Sequence, residues 1–247
     1  MQFQRITDLA AADGHPIPAF LMQPQPALSG AVLVPPYGST KEHMLGIAAA
    51  LGEQQVATVS IDPCGAGENQ TPIGTAMLAE VEAAIAYMRR YSRVGAIGIS
   101  LGGRLALMSS ADYMVAISPA VVQAVSPQGK WMFENFPSPA VREPYSGYVI
   151  ELLEKLGSVK PHDRPCLLVY AQRDIPAIME GAAGLKAELP NSELHYIKTD
   201  LRPDVQHENG LIRYLPRWFN HGELKFNYEV MEVTARWVAA RHAVARV

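Results

Sequence analysis

Short, almost uninterrupted apolar runs recur along the chain at Ala31–Pro35, Ala57–Asp62, Gly95–Ser100, Tyr113–Ser118, Cys166–Ala171 and Leu194–Lys198. Runs of this length without polar alternation suit strands covered on both faces, as in a parallel sheet. Stretches of helical period separate them. Met77, Leu78, Val81, Ala84, Ile85 and Met88 fall on one stripe, and similar stripes run through His43–Gln54, Leu101–Ser110, Met179–Leu189 and Tyr228–His242. Strand alternating with helix predicts an α/β fold, a mostly parallel twisted sheet with helices on both faces. The stretch Phe3–Pro24, with its Asp13-Gly14 turn signal, reads instead as an antiparallel hairpin at the sheet edge.

One region breaks the alternation. Residues 120–163 hold Trp131, Phe133, Phe136 and four prolines from Pro137 to Pro161, with helical period only near Tyr148–Leu156. This predicts a small lid above the strand ends. Nothing in the pattern marks a linker, so the 247 residues are read as one domain with 120–163 as its insertion.

Composition narrows the function classes. Lys+Arg number 21 against 24 Asp+Glu, a net charge of −3, so there is no basic surplus to neutralise a phosphate backbone, and a nucleic-acid partner is not expected. The apolar runs fall far short of the ~20 residues that span a bilayer, and the first twenty residues lack a basic-then-apolar signal pattern. Cys64 and Cys166 have no CxxC spacing and cannot form a disulfide framework. A soluble, cytoplasmic protein with a small-molecule partner is the expectation, with a homodimer as a possible assembly.

The chemistry concentrates at Gly98-Ile99-Ser100-Leu101-Gly102, a G-x-S-x-G pattern between an apolar run and a helical stripe. A chain that turns abruptly from strand to helix forces its middle residue to positive φ. It also requires small residues two before and two after, because strand and helix nearly touch. The Ser100 hydroxyl is then held out at the C-terminal end of the sheet, above a helix N-terminus. That is the geometry of a nucleophile.

A serine nucleophile needs a base, and the base an orienting carboxylate. Asp174 follows the run Cys166–Ala171 at a strand's C-terminal end and is the candidate acid; Asp163 precedes that strand, on the wrong side of the sheet. His15 and His43 precede the serine, His162 lies at the wrong end of a strand, His195 within one, and His242 late on the last helix. His207 and His221 remain, both between the run Leu194–Lys198 and the final helix. His207, nearer the strand end, is preferred, and His221 is the alternative base. For the oxyanion, Leu101 offers the N–H after the nucleophile. Pro35 and Pro36 have no N–H, so Tyr37 is the first residue of the early loop able to donate.

With these residues in view, the chain resembles the α/β-hydrolase superfamily over nearly its whole length. Ala12-Asp13-Gly14, Tyr37-Gly38-Ser39-Thr40-Lys41-Glu42-His43 and Ser60-Ile61-Asp62-Pro63-Cys64-Gly65-Ala66-Gly67 resemble its edge-strand DG turn, its HGxxGSKE oxyanion loop and its DxRGxG loop. The set is similar to the small-cap dienelactone-hydrolase, cinnamoyl-esterase and serine-aminopeptidase-like branches. Pro35-Pro36 replaces the usual His-Gly, Cys64 stands where arginine is usual, and the stretch Asp200 to Phe226 is longer than the norm. The resemblance implies hydrolysis of carboxylic esters, thioesters or lactones through an acyl-enzyme on Ser100. It implies Asp174 as acid, Tyr37 and Leu101 as oxyanion donors, and no cofactor or metal.

An acyltransferase or a serine peptidase would use the same triad, and a non-catalytic ligand-binding protein could retain the fold. Trp131, Phe133, Phe136 and Tyr145 are candidate linings of an apolar acyl pocket.

Overall fold

The computed structural model describes residues 1–122, 125–198 and 221–243. Eight strands form one sheet: β1 (Gln2–Ile6), β2 (Ala19–Gln23), β3 (Ser29–Val34), β4 (Val56–Ile61), β5 (Val94–Ile99), β6 (Tyr113–Ile117), β7 (Cys166–Ala171) and β8 (Ser192–Ile197). Their spatial order is β1-β2-β4-β3-β5-β6-β7-β8. Strands β3 to β8 pair in parallel, whereas β2 is antiparallel to both β1 and β4. The central strands β3, β4, β5, β6 and β7 are buried along their full length, as their unbroken apolar character requires. This is the architecture that the apolar pattern predicts.

Helices cover both faces. Helices α1 (Leu45–Glu53) and α7 (Tyr228–Ala243) pack on one side, where Ile47, Leu51, Val230 and Trp237 meet Leu33, Ile97 and Val169. Helices α2 (Ala76–Met88), α3 (Leu101–Met108) and α6 (Pro176–Glu188) pack on the other, through Val81, Ile85, Leu105, Ile178 and Leu185. The chain therefore leaves β3 toward one face and β5 toward the other. The loops after these neighbouring strands part, opening a crevice at the C-terminal end of the sheet where α/β folds take ligands.

The edge hairpin forms as β1 paired with β2, but Asp13-Gly14 is not its tight turn. The connection makes a smaller excursion, with Ala10 bridged to Pro16 and Gly14 at φ 84°.

Between β6 and β7 lie α4 (Pro127–Asn135) and α5 (Tyr148–Lys155). Helix α5 matches the stretch of helical period near Tyr148–Leu156. Helix α4 carries no comparable stripe, because Gly129, Lys130 and Glu134 interrupt its apolar positions, yet its start bears a local signal. The Ser126 hydroxyl accepts from the Gly129 N–H, and Pro127 occupies the first turn, where its missing N–H does no harm. Among the described residues no helix is long and apolar enough to cross a membrane.

Candidate active site

Ser100 sits between β5 and α3 with φ 54° and ψ −116°, a conformation that L residues rarely adopt. The turn is as tight as its glycines suggest. A Cβ on Gly98 would lie 2.1 Å from the Gly102 carbonyl oxygen. One on Gly102 would lie 2.3 Å from the carbonyl oxygen of Val34 and 2.6 Å from that of Pro35. The second contact also presses the start of α3 against the loop after β3. Leu101, at the first position of α3, has no carbonyl four residues back within its own helix to satisfy its N–H. Leu101 and Tyr37, the two expected oxyanion donors, stand together around a small pocket with Pro35 and Pro36.

Ser100 lines a cavity of about 190 Å³, with Tyr37 and Gly38 from the loop after β3 and His221 from the segment before α7. Val122, Val125, Phe133 and Leu153 of the 120–163 segment, with Ile175 and Ile178, make its walls largely apolar. Of the four aromatic side chains expected to line it, only Phe133 does, meeting the Tyr37 ring edge-on at 5.5 Å between centroids. Trp131, Phe136 and Tyr145 are exposed instead, and Trp131 packs on Phe136.

Asp174 is fully buried just beyond β7. It accepts a hydrogen bond from the Ile175 N–H at 2.7 Å and a short one from the Ser118 hydroxyl, and its Oδ1 lies 2.8 Å from Nδ1 of His221. Nδ1 carrying the proton toward that carboxylate leaves Nε2 as the acceptor on the other side of the ring. The alternative base is thus held by the predicted acid. His207, the preferred one, lies outside the described residues. The other described histidines with side-chain contacts stand elsewhere: His15 on Asn69 and Thr71, His43 on Thr40, His195 near Glu229.

Ser118 escaped the sequence reading. It follows directly on β6 at φ 43°, with its N–H on the Val169 carbonyl of the neighbouring β7 at 2.6 Å, and so stands beside the loop after β7 that carries Asp174. A small polar residue between a buried strand and Pro119 was the only hint.

The loop after β3 is anchored by charge. Lys41 is fully buried, and its Nζ donates to Asp62 Oδ2 at 2.7 Å and Glu68 Oε2 at 3.1 Å, with Glu42 Oε1 at 3.0 Å. Its backbone N–H donates to the other Asp62 oxygen at 2.7 Å. Burial alone would push this ammonium's pKa down, but Asp62 and then the two glutamates raise it above its usual value. The segments Tyr37–His43 and Ser60–Gly67 are therefore joined through one ion cluster. Cys64, in the Ser60–Gly67 segment, is buried, and desolvation, reinforced by the Glu80 charge, pushes its thiol up to about 12. Such a thiol is no nucleophile near neutral pH. Burial first, then the Glu143 charge, raises the Tyr37 phenol well above its ordinary value and keeps it protonated.

Chemically, a hydroxyl at a strained turn, an imidazole oriented by a buried carboxylate and backbone N–H groups at a helix start together suit nucleophilic acyl transfer. Among the described residues no group of three His, Cys, Asp or Glu side chains converges as metal ligands would.

No family model and no curated protein sequence matches the chain. Solved structures do. Est1E from Butyrivibrio proteoclasticus, determined with ferulic acid bound, is similar at 17% identity and a TM-score of 0.62, covering 84% of this chain and 95% of that one. An esterase from Pyrobaculum calidifontis is similar at 18% identity and a TM-score of 0.63, covering 100% of this chain and 86% of that one. A dienelactone hydrolase from Anabaena variabilis is similar at 16% identity and a TM-score of 0.57, covering 91% and 98%.

Proposed function

We propose that this chain, which has the α/β-hydrolase fold of those structures, is a serine hydrolase that cleaves carboxylic esters with Ser100 as nucleophile, His221 as base and Asp174 as its orienting acid. One observation carries the reading. Ser100 is held at positive φ on the wall of the cavity that also bears His221, whose far ring nitrogen is fixed by the buried Asp174. This favours His221 over His207.

In the reaction, Ser100 Oγ attacks the acyl carbon while its proton passes to Nε2 of His221. The carbonyl oxygen takes the negative charge and is stabilised by the N–H groups of Leu101 and Tyr37. Collapse expels the alcohol, which takes the proton from His221. Water, deprotonated by the same nitrogen, then attacks the acyl-enzyme, and the acid departs with Ser100 restored. Asp174 holds the ring's tautomer and stabilises the transient imidazolium without taking the proton. The apolar walls exclude competing water and favour an acyl or alkyl group of modest size. The esterases among the similar structures support this class, and soluble aryl esters are the natural first substrates.

Treatment with a fluorophosphonate probe tests the reading. We expect one label per folded chain at neutral pH, lost in Ser100→Ala, and 4-nitrophenyl acetate turnover falling about a thousandfold or more in that variant. A folded wild-type protein that takes no label would instead be a binding protein on a hydrolase scaffold.

A further inference from the structure

The cavity around Ser100 holds about 190 Å³, less than the ~300–1,000 Å³ usual for small-molecule sites. A second cavity of about 590 Å³ adjoins it, bounded by α5, α6 and Arg104 of α3. Lys130, Glu154, Glu180 and Glu188, all exposed, bring charge to its lining, so it is open to water. Val122, Val125 and Leu153 line both cavities. Leu153 is the largest of the three and is buried on α5. A leucine that served packing alone would meet protein atoms on every side, because a void beside a side chain forfeits dispersion contacts. Leu153 borders two cavities instead.

The helix that carries it is fastened at both ends. At the start of α5 the Glu143 carboxylate accepts the N–H groups of Gly147 and Val149, each at 3.1 Å. Just past its end the Arg104 guanidinium donates to the carbonyl oxygen of Gly157 and, at 3.2 Å, to that of Ala120. Arg104 stands one turn along α3, its own N–H bonded to the Ser100 carbonyl at 3.0 Å. The end of α5, the start of the loop bearing Val122 and the nucleophile turn are thus tied together. Leu153 does not swing away from Ser100 without breaking those bonds.

We infer that Leu153 is a specificity-determining residue: with Val122 and Val125 it closes the Ser100 cavity off from the larger one and restricts the enzyme to esters whose lodged group is short. The inference rests on the hydrolase reading above and adds a substrate class to it, short-chain esters. Truncating Leu153 joins the two cavities and admits a longer chain.

Two substrate series test it. For the acyl half, 4-nitrophenyl acetate is compared with 4-nitrophenyl octanoate; for the alcohol half, methyl acetate is compared with hexyl acetate. The readout is the ratio of kcat/KM for the long over the short member, measured in the wild type and in Leu153→Ala. In the series whose variable group lodges in the cavity, we expect a wild-type ratio of about a tenth or less, rising about tenfold or more in Leu153→Ala. The series that responds identifies which half of the ester faces α5. A wild-type ratio near one in both series overturns the inference. So does a ratio that Leu153→Ala leaves unchanged, because lost packing slows both members alike.

Should Leu153→Ala fail to fold, Val122→Ala trims the same wall from the loop after β6 and should raise the ratio about threefold or more. An unchanged ratio there overturns the wall as well. Failure of the wall leaves Ser100-dependent labelling and acetate turnover intact, whereas failure of the hydrolase reading removes both.

Discussion

At the scale of single residues, the triad proposal turns on which imidazole serves Ser100. Nδ1 of His221 is committed to Asp174, a carboxylate buried completely and also engaged by the Ile175 N–H and the Ser118 hydroxyl. A carboxylate so fully satisfied is held in one position, and through it the ring is held too. We expect His221→Ala to lower kcat/KM for 4-nitrophenyl acetate by about a thousandfold or more, with His207→Ala within a few-fold of wild type. The reverse pattern would return the role to His207. The positive-φ turn at Ser100 and the place of Asp174 beyond a buried strand were legible in the sequence, because each is set by its own neighbours, one by a glycine-bounded strand-to-helix turn, the other by the apolar run before it. The pairing of Asp174 with His221 was not, since no local pattern distinguishes His221 from His207. That contact joins residues 47 positions apart and exists only in the folded chain.

At the scale of elements, the site depends on how closely α3 approaches the loop after β3. Gly102 is the contact: its missing side chain leaves room for the carbonyl oxygens of Val34 and Pro35. These are backbone atoms of a buried strand end and cannot move aside as a flexible side chain would. Gly102→Ala should therefore destabilise the protein by at least the ~1–3 kcal/mol typical of overpacking. It should also lower activity in whatever fraction remains folded, by separating the Leu101 and Tyr37 N–H groups; thermal unfolding and turnover check the two effects. The strands and most helices were legible because burial on two faces, or on one stripe, imprints itself on consecutive residues. Helix α4 was not, because Phe133 serves the cavity while Trp131 is exposed, which erases the single apolar face that a periodicity reading needs.

At the scale of the whole molecule, the Lys41 cluster joins parts distant in sequence. Arg5 of the edge strand pairs with Glu68, Glu68 with Lys41, and Lys41 with Asp62 at the end of β4. Removing one partner of a buried pair strands the other's charge, so Lys41→Met should destabilise the fold by about 3–5 kcal/mol, read by denaturant unfolding. A much smaller effect would mean that Asp62 is served adequately by the remaining N–H donors of Lys41 and Glu68. By itself the sequence determined that the chain alternates strand and helix, that its sheet is buried on both faces, and that a serine stands at a turn built for it. It could do so because each of these is a property of contiguous residues, written as period, run length or a glycine at fixed offset. Only the tertiary structure decided the strand order, the meeting of Asp174 with His221, and the placing of Lys225 beside Ser39 on the same cavity wall. Those contacts join residues 47 and 186 positions apart, and their energies depend on burial and charge that exist only once the sheet has brought its strand ends together.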